Sequence, residues 1–101
     1  MANPTYLLVD VQTQIRALGR KAFTSTAIAT AQDELGMTVE EMVGFICSRT
    51  DTTCFKTMES GKIPGVWMDV YNWLCPNKTQ MAYVKVSLDP RSKVVISFKE
   101  L

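Results

Sequence analysis

Residues 80–101 read QMAYVKVSLDPRSKVVISFKEL, two strand-like runs around a turn, and the way they pair decides the fold. In the period of two that governs strands, Ala82, Val84, Val86 and Leu88 form the apolar set of the first run. Val94, Ile96 and Phe98 form that of the second. Residues directly opposite each other face the same side of a sheet. An even-length loop would set Val84 against Ser97 and turn one strand inside out. An odd loop of Pro90, Arg91 and Ser92 pairs Leu88 with Val94, Val86 with Ile96 and Val84 with Phe98. The opposite face then pairs Tyr83 with Lys99 and Lys85 with Ser97, gathering a phenol and two ammonium groups. Such a face is either an ordinary solvated sheet surface or an anion-binding one, most simply for phosphate.

Working outward, two further runs, 53–59 and 66–74, predict strands. Ser60-Gly61-Lys62 ends the first, Pro64-Gly65 opens the second, and Pro76-Asn77-Lys78-Thr79 turns the chain into residues 80–88. Before them the spacing changes to that of helices. Leu7, Leu8, Val11, Ile15 and Leu18 fall on one stripe of a helix over 4–18, with Gly19 as its left-handed cap. Residues 20–23 suggest a short edge strand. Thr24, Ser25 and Thr26 offer N-cap oxygens for a second helix carrying Ile28, Ala31 and Leu35 and stopping at Gly36. Thr38 with Glu41 forms a capping box for a third, with Met37 and Met42 placed as a hydrophobic staple. Its buried stripe is Val39, Met42, Val43 and Ile46, and Arg49 suits the dipole at its end. The expected fold class is α+β: N-terminal helices packed on a twisted antiparallel sheet, one domain over residues 1–101.

Composition narrows the chemistry. The formal net charge is +1, so no global field pulls the chain toward nucleic acid or anionic membrane. The cations are uneven, however: Lys56, Lys62, Lys78, Lys85, Arg91, Lys93 and Lys99 lie in the second half, so any basic surface is local to it. Cys47, Cys54 and Cys75 show no CxxC spacing, which argues against a disulfide framework or a zinc site and for reduced thiols. No apolar run nears the roughly 20 residues that span a bilayer, and no signal peptide is evident, so a cytoplasmic protein without a membrane partner is expected. The chain has no histidine, which excludes histidine-based nucleophile pairs and histidine metal ligands. No glycine-rich phosphate loop or dinucleotide fingerprint is present, and no cofactor or metal is implied.

Five segments carry a family resemblance: Asp33-Glu34-Leu35-Gly36-Met37, Phe55-Lys56-Thr57-Met58, the GVWMDVY segment with Trp67, Asp69, Val70 and Tyr71, then Tyr83-Val84-Lys85 and Ser97-Phe98-Lys99-Glu100. In this order and spacing the chain resembles the MqsR family (motility quorum-sensing regulator) of toxin endoribonucleases. The resemblance implies a RelE-like ribonuclease toxin fold that cleaves single-stranded mRNA, without the ribosome, at sites beginning with GC. It implies a cognate antitoxin, usually a zinc-containing helix-turn-helix protein. It places catalytic residues at Lys56, Tyr83 and Lys99. A further family position, normally glutamine, is Met68 here, which removes a hydrogen-bonding amide from a substrate-binding position.

Lysine and tyrosine are normally protonated at neutral pH and are poor bases there. Clustering disfavours one ammonium beside another and favours a tyrosinate, so Lys56, Tyr83 and Lys99 are expected to share acid, base and charge-stabilising roles around a scissile phosphate. Lys85 is a candidate phosphate contact on the same face. Trp67 alternates with Met68 and is expected in the core or against a partner; Asp69 is expected to make a structural hydrogen bond. The alternative is a non-catalytic module of the same fold that binds RNA or an antitoxin.

Overall fold

The computed structural model describes residues 2–101, which form three α-helices and a four-stranded antiparallel sheet. Helix α1 spans Leu8–Leu18 and buries Leu8, Val11, Gln12 and Ile15. It starts later than the apolar spacing predicts. The backbone N–H groups of Thr5 and Tyr6 are both taken by the Asp69 carboxylate, at 2.9 Å each, which holds the preceding segment out of the helix. Leu7 and Leu18, expected on the buried stripe, are exposed. Gln12 takes a core position instead, its Nε2 donating to the carbonyls of Ile46 and Arg49 at 2.9 Å each. The amide thereby satisfies acceptors left over at the end of another helix.

The predicted edge strand at 20–23 is a 3₁₀ turn, Gly19–Ala22. Gly19 enters it at φ 58°, and Phe23 makes a single parallel bridge to Val95 rather than a strand. Helix α2, Ser25–Leu35, is capped by the Thr24 hydroxyl and ends at Gly36 in the left-handed region, as the sequence predicts. Helix α3, Val39–Cys47, has the predicted capping box, with Met37 and Met42 both buried beside it. Phe45 is the residue its predicted stripe omits. It lies edge-on to Trp73 at 6.2 Å and to Phe98 at 6.0 Å, a favoured aromatic geometry.

The strands are β1 Lys56–Glu59, β2 Trp67–Leu74, β3 Met81–Val86 and β4 Val95–Glu100, in spatial order 1-2-3-4. One face, carrying Tyr71, Trp73, Val84, Val86 and Phe98, forms the core with α1 and α3. Helix α2 lies along β4 and occupies its outer edge. Thr24 donates to Val95 and Ile96 through its N–H and hydroxyl, the Thr30 hydroxyl donates to the Phe98 carbonyl at 2.7 Å, and the Glu100 N–H donates to the Glu34 carboxylate.

The last hairpin keeps the predicted pairs Tyr83–Lys99, Val84–Phe98 and Lys85–Ser97. Beyond Lys85 the register shifts, and Val86 pairs with Val95 rather than Ile96. The ladder continues with Ser87 N–H donating to Val94, so the predicted Leu88–Val94 pair does not form. The extra residue is Ile96, which falls between Val95, opposite Val86, and Ser97, opposite Lys85, and has no partner of its own on β3: a bulge. Ile96 is thereby turned out of the core onto the opposite face, where it is half-buried.

Candidate functional site

The face of the sheet away from α1 and α3 carries the predicted site residues. Cross-strand pairing sets Lys56 beside Val70, Val70 beside Lys85, and Lys85 beside Ser97, one row across all four strands. The adjacent row pairs Asn72 with Tyr83 and Tyr83 with Lys99. Neighbouring strands lie about 4.8 Å apart and alternate residues about 6.8 Å apart along a strand. Lys56, Tyr83, Lys85 and Lys99 therefore share a patch that flexible lysine side chains span. Val70 is fully buried although it faces this side, between Lys56 and Lys85, whose alkyl stems suit covering it.

The Tyr83 ring is the centre of the patch. The Lys99 ammonium lies 5.2 Å from its centroid and that of Lys85 5.9 Å, both within cation–π range. Burial pushes the Tyr83 phenol up from its ordinary value. The tyrosinate expected beside two ammonium groups is therefore not favoured: desolvation of the charged form prevails, and Tyr83 is set up as a proton-holding donor. Lys85 moves the other way. Burial lowers its pKa first, and the neighbouring Lys99 and Lys56 lower it further. Lys85, expected only to contact phosphate, thus gives up its proton more readily than an ordinary lysine. Lys56 and Lys99 are exposed.

Met68 lies on the same face, paired with Met58, and is buried. With Lys85 and Ser97 it lines a cleft beside the patch rather than the patch itself. Trp67, on the other face, is 43% exposed and so is not in the core. Asp69 is fully buried and structural, holding the N-terminal segment through the Thr5 and Tyr6 amides.

Two residues of this face escaped sequence reasoning. Asn72 is the cross-strand partner of Tyr83, and its Oδ1 is buried without a hydrogen-bond partner among the described residues. Its signal was available: alternation through Met68 and Val70 puts residue 72 on the same side. Lys62 reaches the cleft from the β1–β2 loop, and no periodicity reports a loop that folds back over a sheet. Among the described residues no group of three or more Cys, Asp or Glu is placed to hold a metal ion. Among the described residues no helix is long and apolar enough to cross a membrane.

The comparisons agree with this architecture. A family model described as motility quorum-sensing regulator, toxin of MqsA, matches residues 3–100. No curated protein matches the chain. The matched span takes in all three helices, all four strands and every residue of the lysine–tyrosine patch. Helices on an antiparallel sheet are consistent with a RelE-like toxin fold, and the chain belongs to the MqsR family, ribonuclease-type toxins of toxin–antitoxin systems whose antitoxin is MqsA.

Proposed function

We propose that the face bearing Lys56, Tyr83, Lys85 and Lys99 is the active site of an endoribonuclease that cleaves single-stranded mRNA without a metal ion or the ribosome. The observation that carries this reading is one phenol flanked by two ammonium groups, at 5.2 and 5.9 Å from its ring, on an open sheet face. The donor set suits a phosphate better than a metal: three ammonium groups and a protonated phenol attract an anion and repel a cation.

The reaction follows from these groups. The ribose 2′-oxygen attacks phosphorus while its proton passes to a base, a role we give to Lys85, whose pKa burial and the neighbouring lysines lower from the ordinary lysine value. Lys56 and Lys99 stabilise negative charge as it builds on the phosphorane oxygens. The bond from phosphorus to the 5′-oxygen breaks, and the leaving oxygen takes a proton from Tyr83, which burial keeps protonated. The products are a 2′,3′-cyclic phosphate and a 5′-hydroxyl. Cleavage at sites beginning with GC and a zinc-containing helix-turn-helix form of the antitoxin rest on the family resemblance.

The test is cleavage of a GC-containing RNA by purified protein with and without EDTA, beside Tyr83→Phe and Lys99→Ala variants checked for folding by circular dichroism. Cleavage that survives chelation and falls about 10²–10³-fold in each variant supports the site. Folded variants as active as the parent would overturn it. A second reading, a non-catalytic RNA- or antitoxin-binding module, is favoured by Met68, a buried thioether where the family resemblance implies a glutamine. Binding of RNA without cleavage would select that reading.

A further inference from the structure

Beside the lysine–tyrosine patch the surface drops into a cleft of about 520 Å³, inside the range of about 300–1,000 Å³ typical of small-ligand sites. Three apolar side chains, Met58, Met68 and Ile96, line it together with hydroxyl groups from Thr26, Ser60 and Ser97. Met58 and Met68 are cross-strand partners and lie side by side. Ile96 joins them only because it is the bulged residue between Val95 and Ser97, turned out of the core. Bulges of this kind cluster beside active sites, where they re-aim a side chain. Lys85 belongs both to the cleft and to the charged patch, and Lys62 contributes a cation from the β1–β2 loop. No carboxylate lines the cleft.

This combination fits one chemical class. A nucleobase has flat apolar faces and a polar edge. Thioethers and an isoleucine methyl group pack against such faces, and hydroxyls donate to or accept from the edge as needed. The backbone attached to it is anionic, which suits a cleft with cations and no acid. Ser97, in the cleft, is the cross-strand partner of Lys85, and Lys85 flanks Tyr83. A strand held by its phosphate over Tyr83 therefore has an adjacent base within reach of the cleft.

We propose that this cleft binds one unpaired nucleobase of the RNA strand next to the scissile phosphate, an inference that rests on the ribonuclease reading above. The base lies against Met58, Met68 and Ile96, its edge meets the hydroxyls, and the following phosphate meets Lys62. Purines fill the cleft better than pyrimidines because they bring more ring area.

Methyl-labelled methionine and isoleucine report this directly. The four 2′-O-methyl homohexanucleotides, which cannot supply the attacking hydroxyl, are titrated into the protein, with an abasic 2′-O-methyl strand of equal length as control. Ring currents from a bound base shift the methyl groups of Met58, Met68 and Ile96, more for purines, and not with the abasic strand. Met42 and Ile46, buried in the core, stay in place. Ile96→Ala weakens binding about tenfold, the effect of a lost apolar contact. Binding that leaves the three methyl groups unmoved, or moves them equally with the abasic strand, overturns the proposal. Cleavage of all-ribose RNA is measured in parallel. Cleavage with unmoved methyl groups removes the cleft site and keeps the ribonuclease. Shifted methyl groups without cleavage keep the base site and remove the ribonuclease. No binding together with no cleavage removes both.

Discussion

Replacing Lys85 with glutamine lowers the salt dependence of RNA binding by a fixed step. The candidate face and its cleft hold four cations, Lys56, Lys62, Lys85 and Lys99, in a chain of formal net charge +1. Long-range attraction is therefore weak, and the electrostatic part of affinity comes from these close contacts. Each cation that neutralises a phosphate of a single strand contributes about −0.7 to the slope of log K against log salt. Four contacts give a slope near −2.8, so raising salt from about 50 to 200 mM weakens binding about 50-fold. In Lys85→Gln the slope becomes about −2.1, and the same rise costs about 20-fold. Arg16→Gln serves as control, because Arg16 lies in the last turn of α1 on the helical side of the sheet. It leaves the slope unchanged. The assay is fluorescence anisotropy of a labelled 2′-O-methyl oligonucleotide in stepped potassium chloride at pH 6, where the Lys85 ammonium is favoured. An unchanged slope in Lys85→Gln, or an equal fall in Arg16→Gln, refutes phosphate contact at this face.

Three further outcomes are expected. Asp69→Ala strands two amides that the buried carboxylate now satisfies. At about 1–3 kcal/mol for each, the loss is about 2–6 kcal/mol in urea unfolding, with less for Asp69→Asn, and a loss within error would remove the strap role. Thr30→Val deletes the hydroxyl that donates to the Phe98 carbonyl at 2.7 Å and costs about 1 kcal/mol in the same assay. Lys85→Met removes a group whose folded pKa lies below its ordinary 10.5. Between the folded and unfolded values the unfolded chain binds more protons, so the parent gains stability as pH rises toward 10.5, whereas the variant does not. The advantage of Lys85→Met in urea midpoint therefore shrinks from pH 7 to pH 10; a constant difference would refute the linkage.

Much of this fold was legible because local chemistry and burial pointed the same way. Thr38 and Glu41 announce a helix start by their spacing alone, and Gly36 announces a stop. The predicted pairing of Tyr83 with Lys99 forms, but not through an odd loop: next to the turn Ser87 meets Val94 across an even-length connection, and one extra residue in β4 restores the predicted pairs beyond it. What escaped depends on contacts distant in sequence. The start of α1 is set by Asp69, more than sixty residues away. The bulge at Ile96 breaks the alternation from which parity is argued, so Ile96 faces the side opposite to the one the sequence predicts. The same limit applies to the site. Lys56, Tyr83, Lys85 and Lys99 lie on regular strands, and periodicity collects them. Their protonation tendencies reflect burial, which composition does not report: neighbouring ammonium groups argue for a tyrosinate at Tyr83, whereas burial pushes its phenol up from the ordinary value. Lys62 sits on a loop, outside any periodic rule.

The hydroxyls and carboxylate of α2 along β4 have a consequence for how copies of this protein can associate. A sheet with two bare edges behaves like a monomer with two reactive ends: each addition exposes a new end, and growth into a filament has no natural stop. Here Thr24, Thr30 and Glu34 occupy the backbone groups at one end. Among the described residues only the β1 side remains, four residues long and bearing Lys56. Association through strand edges is thus chain-terminated at the first addition: two copies can meet β1 to β1, and no edge is left for a third.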